Sequence, residues 1–531
     1  MMDSTYRASI DDGDSGVRSD ISMCLVAFAA CLLFRLPALG DLQLWYDEVI
    51  TADAIRNSWG GMIRERLSQG HFPTYFAVLK GLGLSGSSEF ALRLPSVVAD
   101  CAAGGLVAVM ARRIGGAVCA LAAALLYATF PILIVYAQEA RPYALQLLCV
   151  TLAMFGQIAL LRRAGSVRWS ASLATIGALG AILIIPASVV IVALQHLALL
   201  HCGVVRRGAP ERRLWIHHIA VTWIAGIVAL AFLVPSVLAQ AGKSEGLMKW
   251  QKNTSLLGRV KGVLNGTYGF SAPEDLDRYL PHQFNAPLMW SFFALVAIGL
   301  IANRHSLVHR YLAVLAVGTF LAFIGIAVFT AVVNRYLIGM MPAAVLLAST
   351  GAGVLFANPR SRWLAGSWMA LFSLGVGLQG IDTLGSPRKY DWRPIISFLH
   401  DNGVRKTAVH SDFFLIRKEL GYYADVTDEI EFGTIIGSAE PIDKLWKAAA
   451  NLPISWFILT VQREAPPVPM PAGVACTWSF GKMKVVMVAR DHTEMPASLG
   501  SALADPRICV FPTLSRSYAS ARSDADITAS N

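Results

Sequence analysis

The chain has 531 residues, of which 55% are hydrophobic and only 15% are charged, and its mean hydropathy is +0.53. Soluble domains of this length cannot enclose so much apolar surface, so the composition indicates a membrane protein. The net charge of +10 comes from 45 Lys and Arg against 35 Asp and Glu. Much of this excess lies in short loops between apolar runs, which argues against a nucleic-acid partner and indicates orientation in a bilayer.

Eleven apolar runs predict membrane-spanning helices, if their ends extend into the flanking residues. The runs are 21–34, 94–110, 117–135, 144–161, 169–185, 187–200, 214–237, 287–302, 311–333, 336–356 and 363–381. Residues 1–20 carry five aspartates and lack the basic segment of a secretory signal peptide, so the first run is expected to be retained. The sequence therefore predicts an α-helical polytopic protein with a transmembrane domain over 21–381.

Arginines in alternate loops predict the orientation of these spans. The arginine-rich loops follow the second, fourth, sixth, eighth and tenth runs and should face the cytoplasm. Residues 1–20 then form a cytoplasmic tail, and the long loops 39–93 and 239–286 face the periplasm of a bacterial inner membrane. Everything after residue 382 shares that outer compartment.

The region 382–514 lacks long apolar runs and predicts a small periplasmic α/β domain. Strand-like stretches lie at 407–410, 454–461 and 484–489, and a helix is expected at 393–400. Cys476 and Cys509 fall in this domain and could form a disulfide in an oxidising compartment. The tail 515–531 is rich in Ser, Ala and Asp and is expected to be disordered.

Two adjacent carboxylates, Asp47 and Glu48, lie in the first outer loop just after the first span. A carboxylate at the membrane boundary can accept a proton from an incoming hydroxyl group. The alternative is an acidic pair that is merely solvated at the interface. No Walker loop, zinc pattern or dinucleotide fingerprint accompanies the pair in the sequence, so ATP-driven and dinucleotide chemistry have no support.

The turn from Tyr136 to Tyr143 places Glu139 and Arg141 between two spans, and Arg335 and Tyr336 lie at the outer end of a later span. A guanidinium offers a planar fork that suits a phosphate. The alternatives are an ion pair between Glu139 and Arg141 without a ligand, and an interfacial arginine beside an aromatic residue.

Asp100 lies inside an apolar run, and we expect it to pair within the helix bundle rather than to react. His71, in the first loop, could ligate a metal or contact phosphate, although a lone loop histidine is more often solvated.

Five motifs in this order resemble the GT-C glycosyltransferases, and in particular the bacterial group related to protein O-mannosyltransferases, the aminoarabinose transferase of lipid A and rhizobial galacturonosyltransferases. The motifs are Trp45-Tyr46-Asp47-Glu48, His71-Phe72-Pro73-Thr74-Tyr75, Arg93-Leu94-Pro95-Ser96, Gln138-Glu139-Ala140-Arg141-Pro142-Tyr143 and Arg335-Tyr336-Leu337. Asp391-Trp392-Arg393 is similar to a further feature of that family. One departure is that Phe72 stands where the family usually has a first proline.

The resemblance implies transfer of a sugar from a polyprenyl-phosphate carrier to a glycolipid, glycan or protein acceptor, with Asp47 as catalytic base and arginines at the carrier phosphate. Candidate catalytic residues are Asp47 and Glu48, and candidate donor-binding residues are His71, Arg93, Glu139, Arg141, Tyr143, Arg335 and Tyr336. A divalent cation is an open option, with Asp47, Glu48, His71 and Glu139 as candidate ligands. The competing hypotheses are a flippase for lipid-linked glycans and a non-catalytic envelope scaffold.

Overall fold

The computed structural model describes residues 13–164, 166–205, 212–241, 255, 257–258, 285–329, 334–385, 391–402, 407–413, 415–423, 430–436, 444–445, 454–460, 474–480, 483–489 and 509–510. The predicted tail at 515–531 and most of the predicted loop at 239–286 lie outside these residues. The chain forms two compact units. The first comprises Met1–Asp41 and Thr51–Ser386, and the second comprises Leu42–Ile50 and Pro387–Asn531.

The first unit is helical throughout its described part. Its α-helices are Gly13–Arg35, Trp59–Ser68, Thr74–Gly81, Glu89–Thr129, Pro131–Ala137, Tyr143–Arg162, Val167–Ile184, Val189–Val205, Arg212–Ala231, Val234–Ala241, Asn285–Ala302, Leu307–Ala313, Thr319–Phe329, Met341–Ala357 and Arg362–Gly385. Short 3-10 helices cover Pro186–Ser188 and Asn334–Met340, and a π-helical turn covers Val314–Gly318. Helix Tyr46–Arg56 begins in the second unit and ends in the first.

Within the described residues, seven helical stretches are long and apolar enough to cross a membrane, and two shorter apolar helices cover Pro186–Cys202 and Ala286–Ala302. Every predicted apolar run is helical over most of its described length. The prediction of an α-helical, multi-pass membrane protein is therefore confirmed.

The second and third predicted spans form two helical segments that meet at Gly116, within the range Glu89–Thr129. The φ of Gly116 is 83°, which is accessible to glycine and strained for other residues. The two segments fold back on each other, because the hydroxyl of Tyr127 donates to Asp100 at 3.1 Å, whereas residues so far apart in one continuous helix would be separated by about 40 Å. The sequence predicts a loop around Arg112 and Arg113, and both lie in the last turn before this bend, where they bind the carboxylate of Asp20 at 2.6 and 2.9 Å.

The core of the first unit is built around helix Met341–Ala357, whose residues 341–352 are all buried. Gly351 lets helix Asn285–Ala302 approach closely, because a Cβ atom at Gly351 would lie 2.0 Å from the carbonyl oxygen of Leu295. The 3-10 segment Asn334–Met340, which carries Arg335, leads directly into this buried helix. Arg335 is therefore fixed by its attachment to the core.

Asp100 pairs inside the bundle, as predicted. Its carboxylate forms an ion pair with Arg35 and accepts a hydrogen bond from the hydroxyl of Tyr127 at 3.1 Å, and Asp100 and Arg35 are fully buried. Arg35 also donates to the backbone carbonyls of Ala128 and Tyr127 at 2.9 and 3.1 Å. This network joins the first span to both helical segments that meet at Gly116, since Asp100 precedes that residue and Tyr127 follows it.

The second unit contains a six-stranded sheet, which confirms a small α/β region at the C-terminal end. The strands are β1 (Thr407–Ser411), β2 (Ile430–Ile435), β3 (Ile454–Thr460), β4 (Val474–Phe480), β5 (Met483–Ala489) and β6 (Cys509–Val510). Their order is β2-β1-β3-β5-β4-β6, with β2, β1 and β3 parallel and the other pairs antiparallel.

Two amphipathic helices, Arg393–Asp401 and Ile416–Tyr423, contribute to the core of this sheet. Trp392, immediately before the first of them, is fully buried. Cys476 of β4 and Cys509 of β6 are register partners and form a disulfide. The disulfide therefore links β4 to β6, the strand at one edge of the sheet.

The buried pair in the first unit yields a stability prediction. Arg35→Leu removes the cation and leaves the Asp100 carboxylate buried, which is expected to cost about 3 to 5 kcal/mol. The double variant Arg35→Leu/Asp100→Leu removes both charges and should recover much of that loss. Thermal unfolding of the purified protein in detergent measures both. A double variant no more stable than Arg35→Leu would contradict the pairing.

Candidate active site

Two guanidinium groups gather on the ring of Tyr143, at the start of helix Tyr143–Arg162. The guanidinium carbon of Arg335 lies 5.6 Å from the centroid of that ring, and the corresponding atom of Arg141 lies 6.0 Å away. Arg335 also lies 6.0 Å from the ring centroid of Tyr336. The structure thus brings four of the predicted donor-site residues together, although two come from a turn and two from a distant segment.

The electrostatics of this cluster favour an anion. Each guanidinium group is attracted by the negative face of the Tyr143 ring, which leaves its positive charge in place. Both arginines are partly exposed, whereas Tyr143 is buried. A phosphate has the charge and the oxygen geometry to accept hydrogen bonds from both forks. We call Arg141, Tyr143, Arg335 and Tyr336 the arginine cluster.

The backbone around Arg141 is fastened by residues of the earlier motifs. The hydroxyl of Ser96 donates to the carbonyl oxygen of Arg141 at 3.4 Å, and the hydroxyl of Tyr75 lies 3.2 Å from that of Ser96. Gln138 donates through Nε2 to the carbonyls of Arg35 and Pro37 at 2.9 and 2.8 Å. Two earlier motifs and the end of the first span therefore support this turn.

Thr51 also contacts Arg141, and it belongs to none of the sequence motifs. Its hydroxyl oxygen accepts a hydrogen bond from Nη1 of Arg141 at 3.4 Å, and the residue is fully buried. A buried threonine in a helix is common, so only the folded structure distinguishes this one.

The two adjacent carboxylates of the first loop have different surroundings. Asp47 is partly exposed, whereas Glu48 is fully buried. Oε2 of Glu48 accepts a hydrogen bond from the backbone N–H of Trp45 at 3.3 Å. Because Trp45 precedes helix Tyr46–Arg56, this is the return contact of a capping box. Glu48 therefore caps the N-terminus of this helix.

Arg93, His71 and Glu139, the other predicted donor-site residues, differ in their burial and in their hydrogen bonds. Arg93 is buried and donates from Nη1 to the carbonyl of Leu39 at 2.9 Å, so it fastens the start of the first loop. His71 is exposed, and Phe72, which replaces the family's first proline, is buried. Glu139 is buried, and its carbonyl accepts from the N–H of Arg141 at 2.7 Å.

The candidate metal ligands of the sequence are not gathered into one group. In the described ranges, no three or more His, Cys, Asp and Glu side chains are placed so that they could hold an ion. Asp47, Glu48, His71 and Glu139 therefore do not form such a group there. The chemistry proposed below is built from the chain's own side chains.

Comparisons with known proteins bear on the family and the fold of the chain. Residues 72–238 match the family model described as dolichyl-phosphate-mannose-protein mannosyltransferase. No match to a curated protein sequence is found. The solved structures of ArnT from Cupriavidus metallidurans, apo and bound to undecaprenyl phosphate, match at 14% and 15% identity, each with a TM-score of 0.51 over 88% of this chain and 98% of theirs. ArnT and its relatives have the GT-C fold.

This chain has the GT-C fold. The apo oligosaccharyltransferase of Archaeoglobus fulgidus supports the same conclusion, with 12% identity and a TM-score of 0.51 over 90% of this chain and 75% of that one. A second structure of that enzyme is a complex with zinc and sulfate. The GT-C resemblance predicted from the five motifs is confirmed at the level of the fold.

The shared ring of the arginine cluster can be tested with a matched pair of variants. Tyr143→Leu removes both cation–π contacts and should weaken the binding of undecaprenyl phosphate about tenfold. Tyr143→Phe keeps the ring and should bind as the parent does. The shift in melting temperature on titration with undecaprenyl phosphate in detergent reports the affinity. Equal affinities for the Leu and Phe variants would show that the ring does not organise the arginines.

Proposed function

We propose that the protein transfers a sugar from a polyprenyl-phosphate carrier to an acceptor hydroxyl of an envelope lipid, glycan or protein. The observation that carries the proposal is the pair of guanidinium groups held on Tyr143. The GT-C fold and the match to a dolichyl-phosphate-mannose-dependent family support a glycosyltransferase. ArnT with bound undecaprenyl phosphate supports a carrier of the same chemical class.

In this proposal, Arg141 and Arg335 hold the carrier phosphate. The oxygen that leaves the anomeric carbon takes the bonding electrons with it, so negative charge on the phosphate increases during the reaction. Donors fixed in place before the reaction stabilise that charge without reorganisation. Arg335 is fixed by the buried helix that follows it, and Arg141 by the contacts of its turn and its bond to Thr51.

Asp47 is the general base in this proposal. It accepts the acceptor's hydroxyl proton while the oxygen forms a bond to the anomeric carbon and the bond to the phosphate oxygen breaks. Asp47 is preferred to Glu48 because Asp47 is partly exposed, whereas Glu48 is buried and bonded to the backbone of Trp45. Asp47 also precedes Thr51 by four residues in helix Tyr46–Arg56, the spacing of side chains on one helix face.

The carboxylates and arginines of the candidate site fit sugar transfer from a lipid phosphate better than hydrolysis of a glycosidic bond. A phosphate leaves as a stable anion and needs little protonation, so one base and cationic groups are sufficient. A glycosidase would be expected to use two opposed carboxylates, one of which acts as an acid. With Glu48 used as a cap, the adjacent pair leaves one carboxylate, Asp47, for chemistry of this kind.

We further propose that the second unit faces the periplasm and residues 1–20 the cytoplasm, in a bacterial inner membrane. The arginine distribution supports this orientation. The disulfide between Cys476 and Cys509 supports it as well, because disulfides persist in oxidising compartments. The first loop carrying Asp47 would then work at the outer face.

The roles of the two carboxylates can be separated by neutral substitutions. Asp47→Asn should reduce sugar transfer by about 10²- to 10⁴-fold, since it removes the base. Glu48→Gln keeps an oxygen that can accept from Trp45, and it should cost much less. Transfer is measured in membranes of a strain that lacks the native gene and carries each variant, by mass spectrometry of its glycolipids and glycans.

Binding measurements provide the control for this experiment. Asp47→Asn should keep the thermal shift produced by undecaprenyl phosphate, whereas Arg141→Ala should lose at least about tenfold in affinity because a charge-assisted contact disappears. Arg141→Lys should recover part of it. An Asp47→Asn protein that transferred sugar within a few-fold of the parent would overturn the base assignment. An Arg141→Ala protein that bound as tightly as the parent would overturn the phosphate assignment.

A further inference from the structure

The segment that carries Asp47 belongs to the second unit, together with the residues that follow 387. Three hydrogen bonds attach it there. The N–H of Leu44 donates to the hydroxyl of Tyr423 at 2.6 Å, and the N–H of Tyr46 donates to Oε1 of Glu419 at 2.9 Å. Oε1 of Gln43 accepts from the N–H of Trp392 at 2.6 Å. The backbone just before Asp47 is thus held by distant parts of the chain.

Glu419 is the centre of this attachment. Both of its carboxylate oxygens accept hydrogen bonds, Oε1 from the backbone of Tyr46 and Oε2 from the indole Nε1 of Trp392 at 2.8 Å. The side chain is only 4% exposed, and Trp392 is fully buried. A buried carboxylate is retained at such cost only when its hydrogen bonds are made.

The position of Glu419 matches the electrostatics of the helix that it meets. Tyr46 is the first residue of helix Tyr46–Arg56, and the N–H groups of a first turn have no partner within the helix. A negative charge at that end is favoured by the helix dipole. Glu48 binds the N–H of Trp45 and Glu419 binds the N–H of Tyr46. Asp47 therefore lies on a backbone that is fastened by two carboxylates.

We propose that Glu419 is a positioning residue for the general base. This inference rests on the proposed role of Asp47. Through the bond to Tyr46, Glu419 fixes the start of helix Tyr46–Arg56 and so the direction in which the next side chain, Asp47, projects. Trp392 holds the second oxygen of the carboxylate and sets its rotation.

A carboxylate is required at this position for a simple chemical reason. Both partners, the N–H of Tyr46 and the indole N–H of Trp392, are donors, and a carboxylate is a double acceptor. In Glu419→Gln one oxygen becomes an NH₂ group, so one of the two donors faces another donor. Adding Trp392→Phe removes the indole donor and leaves the remaining amide oxygen available for Tyr46. The double variant should therefore recover activity that the single variant loses.

The test measures sugar transfer in membranes from the gene-deleted strain carrying each variant. Glu419→Gln should lower the maximal rate by at least about tenfold, with the acceptor concentration at half-maximal rate little changed, because a displaced base slows the chemical step. Glu419→Gln/Trp392→Phe should regain a large part of that rate. Hydrogen exchange of the peptide that contains Tyr46 should be faster in Glu419→Gln than in the parent and slower again in the double variant.

Asp412→Asn is the matched control. Asp412 is equally buried, in the same unit, and its two oxygens accept from the N–H and the hydroxyl of Thr460 at 2.9 and 2.7 Å. This variant should lower the melting temperature of the protein as much as Glu419→Gln does, yet leave the rate of transfer near that of the parent.

The outcomes separate this inference from the proposed function. If Asp47→Asn abolishes transfer but Glu419→Gln transfers at the parent rate, the positioning role is overturned and the base assignment stands. If Asp412→Asn loses as much rate as Glu419→Gln, the loss reflects general destabilisation of the unit, and the positioning role is again overturned. If Asp47→Asn remains active, the proposed base fails, whatever Glu419→Gln shows.

Discussion

Polar groups within a bilayer must find their partners inside the protein, and this constraint determines how the helices of the first unit are held together. The Asp100 carboxylate is satisfied by Arg35 and Tyr127 from two other parts of the bundle. A second network surrounds His218, which contacts Thr175 at 2.8 Å through Nδ1, and Gln157 and His196 at 3.1 and 3.2 Å through Nε2. Tyr311 donates to Gln157.

The hydroxyl of Thr175 donates to the carbonyl of Ala171 at 2.9 Å and also lies within hydrogen-bond distance of Nδ1 of His218. Nε2 of His218 lies within hydrogen-bond distance of both Gln157 and His196. Five helices are therefore fixed by directional bonds as well as by packing. Helix Tyr143–Arg162, which follows Arg141, belongs to this frame, and groups held in place before a reaction need no reorganisation during it.

Most of the fold is predictable from the sequence because membrane spans are apolar along their whole length. The strands near 407, 454 and 484 and the helix near 393 are predictable as well. Strands β2, β4 and β6 and the helix Ile416–Tyr423 are not, since short, mixed segments have no strong period. Basic residues usually end a span, and Arg112 and Arg113 lie one turn before the bend at Gly116. The sequence does not show that the bend is made by this one glycine. Cys476 and Cys509 can be named from the sequence but not paired, because register is a property of the folded sheet.

The sequence predicts which residues belong to the candidate site, but it does not distinguish their individual roles. Motifs select Arg141, Tyr143, Arg335 and Tyr336, and the structure brings them together. Asp47 and Glu48 are adjacent and chemically alike, so only burial and the bond to Trp45 distinguish them. Glu419 lies 373 residues from Tyr46, and no local pattern marks it as that residue's partner.

In the proposed function, the chain consumes a lipid-linked sugar as a donor instead of moving it across the membrane. Comparative mass spectrometry of envelope glycolipids and lipid-linked intermediates, in the parent strain and in a strain lacking this gene, distinguishes the two. Sugar transfer predicts loss of one sugar from an envelope acceptor, restored by the parent gene and not by the Asp47→Asn gene. Accumulation of a complete lipid-linked glycan, relieved equally by both genes, would contradict it and indicate transport.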